Sequence, residues 1–170
     1  MDQSLFEDAW TGNVDYLLKL VKANPTNVDV GVVFGGDTPL HIACIGGFSP
    51  LHLASAMEHI EIVKQLLKVG NDIRLLKGRE KRIPLHYAAI KGRVQIISEL
   101  LSACAESVDH VTARGETALH LAVKNFQFDA FTVLVEHFKQ FNKLDVLNKN
   151  DSYGNTILRP AVYRKHYEAC

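Results

Sequence analysis

Ile83-Pro84-Leu85-His86-Tyr87-Ala88-Ala89 is the stretch on which the reading of this chain turns, because near-copies of it recur at a fixed interval. Ser49-Pro50-Leu51-His52-Leu53-Ala54 begins 34 residues before it, and Thr117-Ala118-Leu119-His120-Leu121-Ala122 begins 34 residues after it. Self-similarity at such a period marks stacked supersecondary units, since one unit cannot bury its apolar face without neighbours. The chain is expected to be a short solenoid.

The motif has the chemistry of a helix start. The hydroxyl of Ser49 or Thr117 can accept from a free first-turn N–H, and Pro50 or Pro84 at the first helical position loses a donor that has no partner there anyway. Ile83 carries no hydroxyl, so its helix is expected to be less well capped. The leucine and the alanines that follow point inward, and small residues let neighbouring helices approach closely.

These residues resemble the ankyrin repeat, whose hallmark is Thr-Pro-Leu-His-x-Ala-Ala followed by a turn glycine and a second helix. The resemblance implies an all-α fold of helix-turn-helix units with short hairpin-like fingers between them. It also implies that the motif histidines, His41, His52, His86 and His120, are structural, bonding the backbone of neighbouring fingers. A finer resemblance, carried by Met1 to Glu7, Gly36 to Cys44 and Asp151 to Ile157, is to the plant ankyrin-repeat membrane proteins with a C-terminal PGG domain. That likeness implies a setting in immune or salt-stress signal transduction at membranes. The chain departs from that family pattern in lacking the membrane segment.

Composition narrows the classes. Nineteen basic against nineteen acidic residues leave no net charge, which argues against a general binder of nucleic acid or membrane surfaces. The three cysteines, Cys44, Cys104 and Cys170, show neither a paired framework nor a CxxC spacing, so a reducing compartment is expected. Met1 to Ser4 lacks the basic and apolar regions of a signal peptide, and no apolar run is long enough to cross a membrane. The expected location is cytoplasmic.

Taken in order, the single repeat domain 1–170 divides unevenly. Residues 1–37 read as a degenerate repeat, with Gly12-Asn13-Val14-Asp15 in register with Gly92-Arg93-Val94-Gln95. Residues 38–48 are a truncated repeat, because the motif starting at Thr38 is followed by the next at Ser49 after only 11 residues. One second helix and one finger are missing there. Three or four large side chains at ~1.5–3 kcal/mol each amount to roughly 5–10 kcal/mol of lost burial, comparable with the net stability of a domain. Poor packing is expected up to Phe48, unless the helix at Leu17 fills the gap.

Residues 49–82, 83–116 and 117–153 are three complete repeats, with Glu58 and Phe126 at the turn position that Gly92 holds in the middle one. Residues 154–170 are an incomplete repeat whose motif threonine, Thr156, comes 39 residues after Thr117, implying about five extra residues around Gln140 to Lys149. Pro160 there interrupts a helix and predicts fraying.

No motif in the sequence points to catalysis. Four histidines on a lattice invite a metal reading, but the resemblance implies units stacked about 10 Å apart, too far for two of them to share one zinc at ~2.0–2.1 Å bonds. No phosphate loop, Ser-His-Asp order or spaced carboxylate pair stands out, and no basic activator lies near Cys104. No enzyme, cofactor, metal or small-molecule substrate is expected.

The family resemblance places a partner protein on the concave face made by fingers and first helices. By position the first finger offers Arg79, Glu80, Lys81 and Arg82, the second Arg114 and Glu116, and the third Asp151 and Tyr153. The first helices add Met57, Ile90, Lys91, Lys124 and Asn125. Most are charged, so a partly polar, salt-sensitive interface is expected. The leading reading is a non-enzymatic interaction scaffold in plant stress or immune signalling. The alternative is a truncated or mis-spliced product that at most competes for the partners of a longer membrane protein.

Overall fold

The computed structural model describes residues 49–69, 72–141 and 144–157. Within them stand six α-helices: α1 Pro50–Met57, α2 Ile60–Val69, α3 Pro84–Lys91, α4 Val94–Ala103, α5 Ala118–Lys124 and α6 Phe128–Gln140. No strand occurs among the described residues. The expectations for the degenerate repeat 1–37, the truncated repeat 38–48 with His41 and Cys44, and the chain from Leu158 to Cys170 lie outside the described residues.

The helices stack in two layers. First helices pack α1 on α3 on α5, second helices pack α2 on α4 on α6, and each first helix packs on its own second helix. Ala54, Ala88 and Ala122 are buried between first helices, and Leu51, Leu85 and Leu119 are sealed beside them. Each such leucine contributes ~1.5–3 kcal/mol of burial. Second helices supply Ile62, Val63, Leu66 and Leu67, then Ile96, Ile97, Leu100 and Leu101, then Ala130, Leu134 and Phe138. The core is one strip running along the stack, as expected where stability comes from neighbours.

A short 3-10 turn follows each second helix, over Asp72–Arg74, Ala105–Asp109 and Leu144–Asn148. Each drops one apolar side chain into the strip: Ile73, Val108 and Val146.

Helix ends follow local chemistry. Ser49 Oγ and Thr117 Oγ1 each accept from the backbone N–H of the motif histidine at 3.4 Å. Ile83 makes no such side-chain cap, yet its own N–H donates to His86 Nδ1 at 3.0 Å, so half of the capping arrangement survives. Helix α1 is closed by Glu58 in the left-handed region at φ 68, as Gly92 closes α3 at φ 70; Phe126 stands in that region at φ 59. The extra length of the third repeat is partly helical: α6 has 13 residues where α4 has 10. Phe138, 1% exposed, explains it, since the added turn buries a large ring.

Candidate functional site

Three fingers stand in equivalent places. The first closes with Gly78 N–H donating to Arg82 O at 2.8 Å, the second with Thr112 N–H to Glu116 O at 2.9 Å, the third with Asp151 N–H to Asn155 O at 3.0 Å. Neighbouring fingers are tied through backbone: Ala113 N–H donates to Glu80 O at 2.7 Å, and Ser152 N–H to Arg114 O at 2.8 Å.

The motif histidines fix the finger roots to the helix starts. His52 Nδ1 accepts from Ser49 N–H at 2.8 Å while Nε2 donates to Arg82 O at 3.0 Å. His86 does the same between Ile83 N–H and His110 O, at 3.0 and 3.2 Å. His120 joins Thr117 N–H to Asn155 O, both at 3.3 Å. An Nδ1 that accepts and an Nε2 that donates define one neutral tautomer at all three sites. Burial pushes His52 and His86 down from 6.5 to about 4, partly opposed by the Arg82 and His110 carbonyls. Burial also lowers His120.

Side chains of fingers and first helices meet on one side of the molecule. Arg82 Nη2 lies 2.6 Å from Glu80 Oε2, and Arg114 Nη2 lies 3.8 Å from Glu80 Oε1, so one carboxylate serves two fingers. The Arg82 guanidinium carbon sits 5.9 Å from the centre of the Tyr87 ring, which meets His52 edge-on at 5.3 Å. Burial raises Tyr87, with the Arg82 charge opposing it. Arg79, Lys81, Arg114, Lys91 and Lys124 are exposed, as are Met57 and Tyr153, while Ile90 is half-buried.

Three of the residues expected to face a partner serve the fold. Glu116 is only 3% exposed, a correction to its placement on the surface: Lys124 Nζ donates to it at 2.7 Å and Thr112 Oγ1 at 3.4 Å, and a carboxylate so buried needs those donors. Asn125 is half-buried and its Nδ2 donates to Leu121 O at 2.7 Å, closing the end of α5. Asp151 accepts from Tyr153 N–H at 2.9 Å, Asn155 N–H at 2.8 Å and Asn155 Nδ2 at 3.0 Å. Burial pushes its carboxyl up, the Asn155 and Tyr153 bonds outweigh that, and the net direction is down.

Other polar ties escaped the sequence reading. Arg74 donates to Leu67 O at 3.0 Å and to Ala103 O at 2.9 Å, joining two units at their second helices. Arg93 pairs with Glu58 and donates to Ala56 O at 3.3 Å, joining two turns. A groove of about 370 Å³, lined by Ser98, Leu101, Val133, His137 and Phe141, lies instead between second helices α4 and α6. Among the described residues no group of three or more His, Cys, Asp or Glu could hold a metal ion, and no helix is long and apolar enough to cross a membrane.

Comparison with known proteins agrees with this geometry. The family described as ankyrin repeats (3 copies) matches residues 51–145. The chain is 31% identical over 150 residues to the nuclear factor NF-kappa-B p105 subunit of Gallus gallus, covering 85% of this chain and 14% of that protein. It is 23% identical over 168 residues to the putative E3 ubiquitin-protein ligase XBAT31 of Arabidopsis thaliana, covering 79% of this chain and 37% of that protein. It is 29% identical over 143 residues to the probable 26S proteasome regulatory subunit p28 of Saccharomyces cerevisiae, covering 70% and 62%. The chain thus spans less than two thirds of each of these relatives.

Proposed function

The chain belongs to the ankyrin-repeat family, and from that membership we propose that it is a non-enzymatic scaffold that holds a partner protein on the side carrying its fingers and first helices. The observation that carries the reading is the contrast within each finger. Roots and flanks are locked by backbone bonds, Ala113 to Glu80 and Ser152 to Arg114, while Arg79, Lys81, Arg114 and Tyr153 stay exposed. Side chains presented from a pre-set backbone bind with little ordering cost.

The finer setting rests on resemblance. The likeness of Gly36 to Cys44 and Asp151 to Ile157 to plant membrane proteins with a PGG domain, together with a similar plant E3 ligase, supports a role in plant stress or immune signal transduction. The finger side would then face the cytoplasm.

The test is capture of proteins from plant extract by the immobilised full chain and by two variants. Ile90→Glu with Lys91→Glu changes the finger side; Gln95→Glu with Thr132→Glu changes exposed positions on α4 and α6. A partner that survives the second pair and is lost with the first supports the reading. Retention by the first pair, or loss with the second, overturns it.

A further inference from the structure

The finger side has a charge that the whole chain lacks. Two of its three acids are ion-paired internally, Glu80 with Arg82 and Arg114 and Glu116 with Lys124; Asp151 keeps its charge but spends its oxygens on Asn155 and the Tyr153 N–H. Four of the bases on this side are not so paired. Lys77, Arg79, Lys81 and Lys91 are all exposed, and none is ion-paired to a carboxylate among the described residues.

Their arrangement narrows the occupant. Arg79 and Lys81 stand on the first finger, which leads into the start of α3, and Lys91 is the last residue of that helix. Seven helical steps separate Pro84 from Lys91, roughly 10 Å at 1.5 Å per residue. Charges spread over such a length match a line of single negative charges better than one phosphate, which wants donors converging on a point. Lys81 is also held at φ 55, in the left-handed region that a lysine rarely occupies. A residue kept there against its preference fits a role at the tip.

We propose that the partner enters this side as an extended acidic segment of protein, rich in Asp and Glu, lying from the first finger along α3 with its carboxylates on Arg79, Lys81 and Lys91. The inference rests on the scaffold reading and adds the chemistry of what is held. Net neutrality of the chain disfavours a polyanion bound through long-range attraction, so a nucleic acid is the competing outcome.

The experiment uses the full chain and a fluorescent twelve-residue peptide alternating Glu with Ser, read by anisotropy at 20 and 300 mM salt. A Gln-for-Glu peptide of the same length and a single-stranded DNA oligonucleotide are the controls. Expected are binding of the Glu peptide alone, weakened at high salt, and roughly tenfold weaker binding by Arg79→Glu with Lys81→Glu and by Lys91→Glu. These exposed positions make no side-chain bond among those described, and circular dichroism checks the fold. No binding of the Glu peptide at low salt, equal binding by the variants, or preference for the oligonucleotide overturns the proposal. A captured partner lost with Ile90→Glu but indifferent to Arg79→Glu, Lys81→Glu and salt would overturn this chemistry while leaving the scaffold reading intact.

Discussion

The first two fingers share a root and differ at the tip. Both close with a backbone N–H at one flank donating to a carbonyl at the other, Gly78 to Arg82 and Thr112 to Glu116, and both are pinned by a histidine, His52 on Arg82 O and His86 on His110 O. At the tip the second finger follows physical preference, with Gly115 at φ 70. The first finger defies it, with Glu80 at φ 57 and Lys81 at φ 55. The backbone frame repeats because every unit must stack on the next, whereas the exposed side chains of Arg79 and Lys81 take no part in that stacking. Finger shape therefore belongs to the fold, and tip chemistry is available for recognition.

Breaking a root should have the largest effect. His86→Ala leaves Ile83 N–H and His110 O without their partner in a site where the ring is fully buried. Each orphaned buried group costs about 1–3 kcal/mol, so a loss of roughly 2–5 kcal/mol is expected in urea unfolding. A loss under 1 kcal/mol would mean that the histidine is a spectator.

Forcing the second tip to resemble the first should cost less. Gly115→Ala puts a Cβ at φ 70 and 3.1 Å from Ser152 N, whose N–H ties the second finger to the third. About 1–2 kcal/mol of destabilisation is expected, with faster amide exchange at Ser152. The reverse exchange is the smallest change. Lys81→Gly relieves a left-handed lysine but loosens the unfolded chain, so stabilisation of up to about 1 kcal/mol is expected by thermal unfolding. Acidic-peptide binding is expected to fall in the same variant, because the Lys81 ammonium is lost together with the strain.

Most of the frame was legible in the sequence because its signals are local motifs repeated at a fixed interval. Proline at a helix start states its backbone need within one unit, and the period of 34 carries the turn from Gly92 to Glu58 and Phe126. The burial of Glu116 was not legible, since it depends on Thr112 and Lys124 converging on it, and finger position alone does not reveal that. The extension of α6 had no signal of its own, because a spacing of 39 counts residues without saying which of them coil. The Glu58 to Arg93 pair had a usable signal, an acid and a base 35 positions apart, one step off the period. The tie from Arg74 to Ala103 O had none, as a backbone carbonyl has no sequence identity.

Neutral, buried histidines hold every described finger root, and nitrogen-15 NMR of the imidazoles over pH 3.5 to 8 reads their protonation site by site. The unfolded chain takes up these protons near 6.5, the folded chain only near 4 for His52 and His86. Acid thus favours the unfolded state, so stability is full above 6.5 and falls as pH drops towards 4. The Nε2–H tautomer is expected at His52, His86 and His120, with no titration of the first two until about pH 4 or until the chain unfolds. Rings that titrate near 6.5 in the folded protein would contradict that expectation, because fingers so easily protonated at the root could not be held there by these bonds.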